Sequence, residues 1–282
     1  MQGNEPHHPP PARSFRPVPV RFLLPNLITL LALCSGVTAI RLAVEGRYQV
    51  AVAAVILACV LDAIDGRLAR LLKGTSRFGA ELDSLADFVN FGVAPAILIY
   101  VWSLNAMKPA GWIVALMLSM ACALRLARFN VALEDPNKPA FANAYFTGIP
   151  APAGAGLAMA PMYLGFLDIV PDGHTVAKPV AIYIVAIAVL MVSRVPTFSG
   201  KSVTQVPREL VLPILAAGAL FVVCLITFPW ETMVLSAAVY VALLPVGAAS
   251  YYRQKRKLQA QLQTQSASAA ESQPPGESPP QG

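Results

Sequence analysis

VAVAAVILACVLDAIDGRLARLLKGTSRFGAELDSLADFVNFGVAPAILIYVWSL, from Val50 to Leu104, holds two apolar runs that meet at a charged junction. Val50–Leu71 and Phe78–Leu104 are each long enough to cross a bilayer as helices, which takes about 20 residues. Both runs are continuously apolar rather than alternating, so they read as helices and not as the strands of a membrane barrel. Four acids sit where the runs meet: Asp62 and Asp65 on the first, Asp83 and Asp87 on the second. The spacings i,i+3 and i,i+4 put each pair on one face of its helix. The turn through Lys73 to Arg77 is short, so the two helices must pack side by side and can bring all four carboxylates to one site.

The same apolar character extends along the chain. Of its 282 residues 56% are hydrophobic and 13% charged, with mean hydropathy +0.59. Soluble domains carry about 25% charged residues. Six more apolar stretches read as membrane segments: Phe22–Ala43, Ala110–Leu133, Ile149–Ile169, Pro179–Val195, Glu209–Phe228 and Trp230–Tyr251. The expected fold is therefore an all-α, polytopic membrane bundle of about eight transmembrane helices. Residues 1–20, rich in Pro, and residues 253–282, rich in Gln, Ser and Pro, are expected to be disordered tails around a transmembrane catalytic domain at 21–252. The first twenty residues lack the apolar core of a signal peptide. No internal repeat is visible, which argues against the inverted-repeat transporter folds.

An even number of spans puts both termini on one side. Of the 21 Lys and Arg, all but Arg41, Arg47, Lys108 and Lys178 fall on that side. The positive-inside rule makes it cytoplasmic, so the termini and the acidic cluster are expected at the cytoplasmic face of the inner membrane. The net charge of +6 is then an insertion signal and not a nucleic-acid footprint. Cys34, Cys59, Cys122 and Cys224 all lie in apolar segments without a CxxC and read as small hydrophobes. His7, His8 and His174 fall in the head and a loop, which disfavours a His-based metal site.

Four bare carboxylates at membrane depth would repel one another at a high desolvation cost, so something positive must compensate. Oxygen ligands suit hard cations, Mg²⁺ or Mn²⁺, and four carboxylates can hold two of them, an arrangement used on phosphoryl substrates. Gly66 follows Asp62 by one turn and Gly79 precedes Asp83 by one turn, where the lack of a Cβ admits a close ligand. Ala69 adds a small side chain to the same stripe. Arg70 can grip a phosphate with its planar fork, and Ser76 can donate a hydrogen bond to one. A lone D-x-x-D would read as a solvated helix rim; the whole constellation does not.

These residues form the pattern D-x2-D-G-x2-A-R-x8-G-x3-D-x3-D, met at Asp62, Asp65, Gly66, Ala69, Arg70, Gly79, Asp83 and Asp87. The pattern resembles the signature of the CDP-alcohol phosphotransferases. The resemblance implies a helical fold with a cytoplasm-facing site, in which the four Asp hold two divalent metal ions and Asp87 also serves as general base. The start Leu24-Pro25-Asn26-Leu27-Ile28-Thr29, the stretch FGAELDSLADFVNFGVAPA, ARFNV at 127–131 and FTGIPAPAGAG at 146–156 resemble the bacterial branch that transfers phosphatidyl groups to serine. By that resemblance Asn26 and Thr29 contact CDP-diacylglycerol, together with Gly66, Ala69, Arg70, Ser76 and Gly79. The implied reaction takes CDP-diacylglycerol and L-serine to phosphatidylserine and CMP. No Ser, Cys or His is placed as a covalent nucleophile, so direct in-line attack is expected.

Serine's carboxylate calls for a basic residue near the site. Arg125, Arg128 and Asn130 are the candidates, Arg128 first among them, with Arg194 and Lys201 behind them. The residues themselves leave other acceptors open: choline, glycerol 3-phosphate or an inositol phosphate. Outside the enzyme class, a cation transporter or channel would also use intramembrane Asp. Relatives in the family are often homodimers, so a dimer is expected by resemblance.

Overall fold

A computed structural model describes residues 20–72, 74, 76–134, 145–193, 196–198, 208–247 and 249. The expected tails lie outside these residues, apart from the last residue of the head. The chain begins with α1 (Val20–Val44) and α2 (Tyr48–Leu71). Gly46, at φ +76°, reverses the chain between them. Arg47 N–H donates to Leu42 O and Gly46 N–H to Ala43 O, the paired bonds of a Schellman cap. The two helices pack through small side chains, with Ala32, Ala39 and Ala43 buried on α1 and Ala51, Val55 and Ala58 on α2. Lipid offers no hydrophobic drive between helices, so close backbone approach through small residues is what holds such a pair. Ser35 Oγ adds a bond to Ala54 O at 2.8 Å.

The third helix, α3 (Arg77–Trp102), starts at Ser76, whose Oγ accepts from Gly79 N–H at 3.0 Å. It is α-helical over Arg77–Asp87, π-helical over Phe88–Val93 and α-helical again over Ala94–Trp102. The π turn is nested between neighbours. Ser119 Oγ donates to Gly92 O at 3.2 Å, and a Cβ on Gly36 would run into Asn90 Oδ1. A 3₁₀ turn (Leu104–Met107) leads to α4 (Pro109–Glu134).

The fifth expected segment is a broken helix. It forms α5 (Ala151–Ala158) and α6 (Ala160–Phe166), with the break at Met159. The physical reason is Pro161, which has no N–H to offer Leu157 O. Tyr183 Oη, from the next helix, donates to Leu157 O instead at 2.8 Å, so the freed carbonyl is satisfied inside the bundle. That next helix, α7 (Ala177–Val192), has 16 residues and spans about 24 Å, short of the ~30 Å hydrocarbon core. Gly154 of α5 packs against it so closely that a Cβ would lie 2.7 Å from Met191 Sδ. The strand Tyr145–Thr147 pairs antiparallel with Pro196–Phe198 and ties the approach to α5 to the exit of α7.

Last come α8 (Arg208–Thr227) and a final helix, α9 (Pro229–Gly247). Among the described residues six helices are long and apolar enough to cross a membrane, which makes this a multi-pass membrane protein. The fifth and sixth expected segments are the short ones. The core gathers around the second half of α3, with Leu98, Ile99, Leu118, Met162, Tyr163 and Ile184 fully buried. By contrast, none of the apolar stretch of α8 is buried in the chain.

Candidate active site

Three elements build the site. α1 enters beside the α2–α3 turn, and the ends of α2 and α3 carry the acids. Asp62, Asp83 and Asp87 each offer a carboxylate oxygen, and these atoms lie within 4.8 Å of one another. Asp65 stands next to the trio rather than in it. It is 3% exposed, and its Oδ2 accepts from Thr29 Oγ1 at 2.6 Å. Asp87 Oδ1 is buried and has no hydrogen-bond partner.

Crowding three carboxylates at the end of two apolar helices, one oxygen unpartnered, is unfavourable without a compensating positive charge. The donor set is all oxygen, the preference of hard divalent cations. The residues therefore fit a divalent metal ion, which Asp62, Asp83 and Asp87 would hold, with Asp65 beside them.

A cleft of about 190 Å³ opens beside the acids. Asn26, Thr29, Gly66, Ala69, Arg70, Ser76 and Gly79 all line it, together with Asp65 and Asp83. The structure thus brings together every residue that the motif and the α1 start singled out for the donor. Its small size suits a phosphate-bearing group and not a whole drug-sized ligand, which needs about 300–1,000 Å³. Gly66 has open space where a Cβ would stand, while a Cβ on Gly79 would come 2.9 Å from Asn26 Oδ1. The cap at Ser76 uses an oxygen lone pair and leaves the hydroxyl proton available to a ligand. Pro25, Gly74 and Ala80 also line the cleft and were not among the expected residues.

The three acceptor candidates on α4 have different surroundings. Arg128 Nη1 donates to Val192 O at 2.7 Å, at the end of α7. Asn130 Nδ2 donates to Ser84 Oγ at 2.9 Å, on the α3 turn between Asp83 and Asp87. Arg125 is 8% exposed, and its Nε has no partner. Arg194 and Lys201 lie outside the described residues, as does Lys73 in the turn. Two further buried polar groups escaped the reading of the sequence. Asn90 is fully buried with both amide atoms unpartnered, and Tyr163 is fully buried with a free hydroxyl. Only its place three residues after Asp87 could have marked Asn90. All four cysteines are free, with Cys122 buried and Cys34 exposed on α1.

Comparison with known proteins gives the site a context. A family model described as CDP-alcohol phosphatidyltransferase matches residues 22–193, and a second, CDP-alcohol phosphatidyltransferase 2, matches residues 209–245. The chain is 36% identical to a CDP-diacylglycerol–serine O-phosphatidyltransferase of Mycobacterium leprae, over 79% of this chain and 73% of that one. It is 34% identical to the protein of the same name from Helicobacter pylori strain 26695, over 73% and 84%. It is also 33% identical to an archaetidylserine synthase of Methanothermobacter thermautotrophicus, over 61% and 68%.

Proposed function

The chain belongs to the CDP-alcohol phosphatidyltransferase family, and from that premise we propose that the cleft between α1, α2 and α3 binds the diphosphate of CDP-diacylglycerol. The reaction is transfer of the phosphatidyl group to L-serine, with release of CMP. Relatives from two bacterial groups and an archaeon carry serine transfer in their names, which favours serine over choline, glycerol 3-phosphate or an inositol phosphate. A channel would need a path of polar groups; here the acids are gathered at one end of two helices.

The single observation that supports the site is the meeting of two sets of residues, the acid trio and the seven cleft residues, around Asp65 and Asp83. In the mechanism we propose, Arg70, exposed at the cleft, pairs with the diphosphate. Asn26 and the Ser76 hydroxyl hydrogen-bond it, while Gly66, Ala69 and Gly79 let it lie against backbone. Thr29 holds Asp65 in orientation through its hydroxyl. Asp87 takes the proton of the serine hydroxyl as that oxygen attacks phosphorus. The new O–P bond forms in line with the P–O bond that breaks, and CMP leaves with that electron pair. Two divalent ions, Mg²⁺ or Mn²⁺, held by Asp62, Asp65, Asp83 and Asp87, would supply positive charge for the diphosphate and for the leaving CMP. The acceptor enters from the side of α4. The charge bias of the loops supports a cytoplasmic site and termini on the inner membrane, and family precedent supports a homodimer.

The test is CMP release by purified protein in detergent with CDP-diacylglycerol, Mn²⁺ or Mg²⁺, and each acceptor in turn. Release that needs both metal and serine, with phosphatidylserine formed, is the expected result. Release with another alcohol alone would overturn the acceptor, and release undiminished by a chelator would overturn the metal site.

A further inference from the structure

Arg125 stands out once its neighbours on α4 are accounted for. Arg128 spends Nη1 on the end of α7, and Asn130 spends its amide on Ser84. Arg125 is almost wholly buried, yet its Nε donates to nothing. It lies with its guanidinium 5.7 Å from the centre of the Phe129 ring, one turn away, which limits where the head can swing. Asp87 and Tyr240, the latter on α9, are within electrostatic reach of it. Among the described residues no salt bridge joins Arg125 to Asp87, and Asp87 Oδ1 is itself unpartnered.

A buried guanidinium with an unspent N–H at membrane depth is costly, and such groups are kept where a ligand completes them. Any lone pair would satisfy the N–H, but only an anion would also balance the buried positive charge. Serine's hydroxyl and carboxylate are only two carbons apart, so a base and a guanidinium that are near each other but not paired can hold both at once. Resting on the serine-transfer reading above, we propose that Arg125 reads the acceptor's carboxylate beside Asp87. The enzyme thereby selects an amino acid over an amino alcohol. Arg128 and Asn130 are then positioning residues: one docks α4 on α7, the other holds the α3 turn that carries Asp83 and Asp87.

The experiment compares acceptors that differ only at the carboxylate: L-serine, L-serine methyl ester and ethanolamine. The full-length wild-type enzyme should prefer serine in kcat/KM by roughly 100-fold, the loss expected when a buried charged donor is left unpaired. In Arg125→Gln that preference should collapse toward unity through the KM for serine, with the KM for CDP-diacylglycerol little changed. Arg125→Lys keeps the charge without the fork and should recover part of it. Two results would overturn the proposal. One is a wild-type enzyme that uses the methyl ester as well as serine, a measurement that needs no variant to fold. The other is an Arg125→Gln enzyme that still turns over and still prefers serine. Wild-type protein that uses no serine at all would instead sink the reading of the reaction itself.

Discussion

Two walls flank the acids, and they are built by opposite means. The wall formed by α1 and the α2–α3 turn is made of small residues and backbone: Pro25, Gly66, Ala69, Gly79 and Ala80 leave a cleft, and polar groups edge it. The wall formed by the end of α4 is made of long side chains that reach far along the chain, to Ser84 and to Val192. The first makes room for a ligand by omission. The second mostly fastens helices together, and Arg125 is its buried member with an N–H unspent. A substitution on the first wall should therefore change how the donor fits. One on the second should change how the bundle holds, Arg125 excepted.

The acids between the walls set the largest expected effect. Asp87→Asn keeps the shape and removes the base, and kcat should fall about 10²–10⁴-fold while the protein still inserts and elutes as the wild type does. Wild-type turnover by that variant would remove Asp87 from the mechanism. The two cleft glycines sharpen the contrast. An Ala at Gly66 meets nothing within 4 Å, so the folded protein accommodates it and any clash is with the ligand. Gly66→Ala should raise the KM for CDP-diacylglycerol about 10-fold with an unchanged melting temperature. Gly79→Ala presses on Asn26 and Ser76 and should lower both donor affinity and stability. If both variants bind CDP-diacylglycerol normally, the donor lies elsewhere. Smallest are the fasteners. Arg128→Ala should cost about 1.5–3 kcal/mol of stability and Ser76→Ala about 1 kcal/mol, read as melting in detergent. Arg128→Ala should not shift the KM for serine against that for CDP-diacylglycerol by more than a small factor, whereas Ser76→Ala, which also loses a contact to the diphosphate, should raise the KM for CDP-diacylglycerol alone. A selective loss of serine affinity in Arg128→Ala would move the carboxylate subsite from Arg125 to Arg128.

The same difference explains what could be read before the fold was in hand. The pairs Asp62/Asp65 and Asp83/Asp87 follow from helical spacing, and one short turn forces their helices together, so the gathering of acids needed no tertiary knowledge; that Asp65 turns to Thr29 and stands beside the other three did. Asn26 and Thr29 came only by resemblance, because nothing local says that α1 returns to the α2–α3 turn. The roles of Arg128 and Asn130 could not be read at all. Their partners lie 64 and 46 residues away, and spacing carries no information over that distance. The break at Met159 had a local cause in Pro161, but a proline also kinks helices that continue. That the chain would interrupt here depended on Tyr183 standing ready to bond Leu157 O.

The π turn at Phe88–Val93 has a consequence for the evolution of this helix. A π turn is one residue longer than an α turn, and one residue is about 100° of rotation. It acts as a phase shifter. The half with Asp83 and Asp87 keeps the angular setting that chemistry requires, and the half from Ala94 to Trp102 keeps the setting that its buried neighbours require. Either half can drift in sequence without dragging the other around the helix axis. A lineage that lost one residue there would gain a regular helix and find its acids turned about a quarter of a circle from their partners.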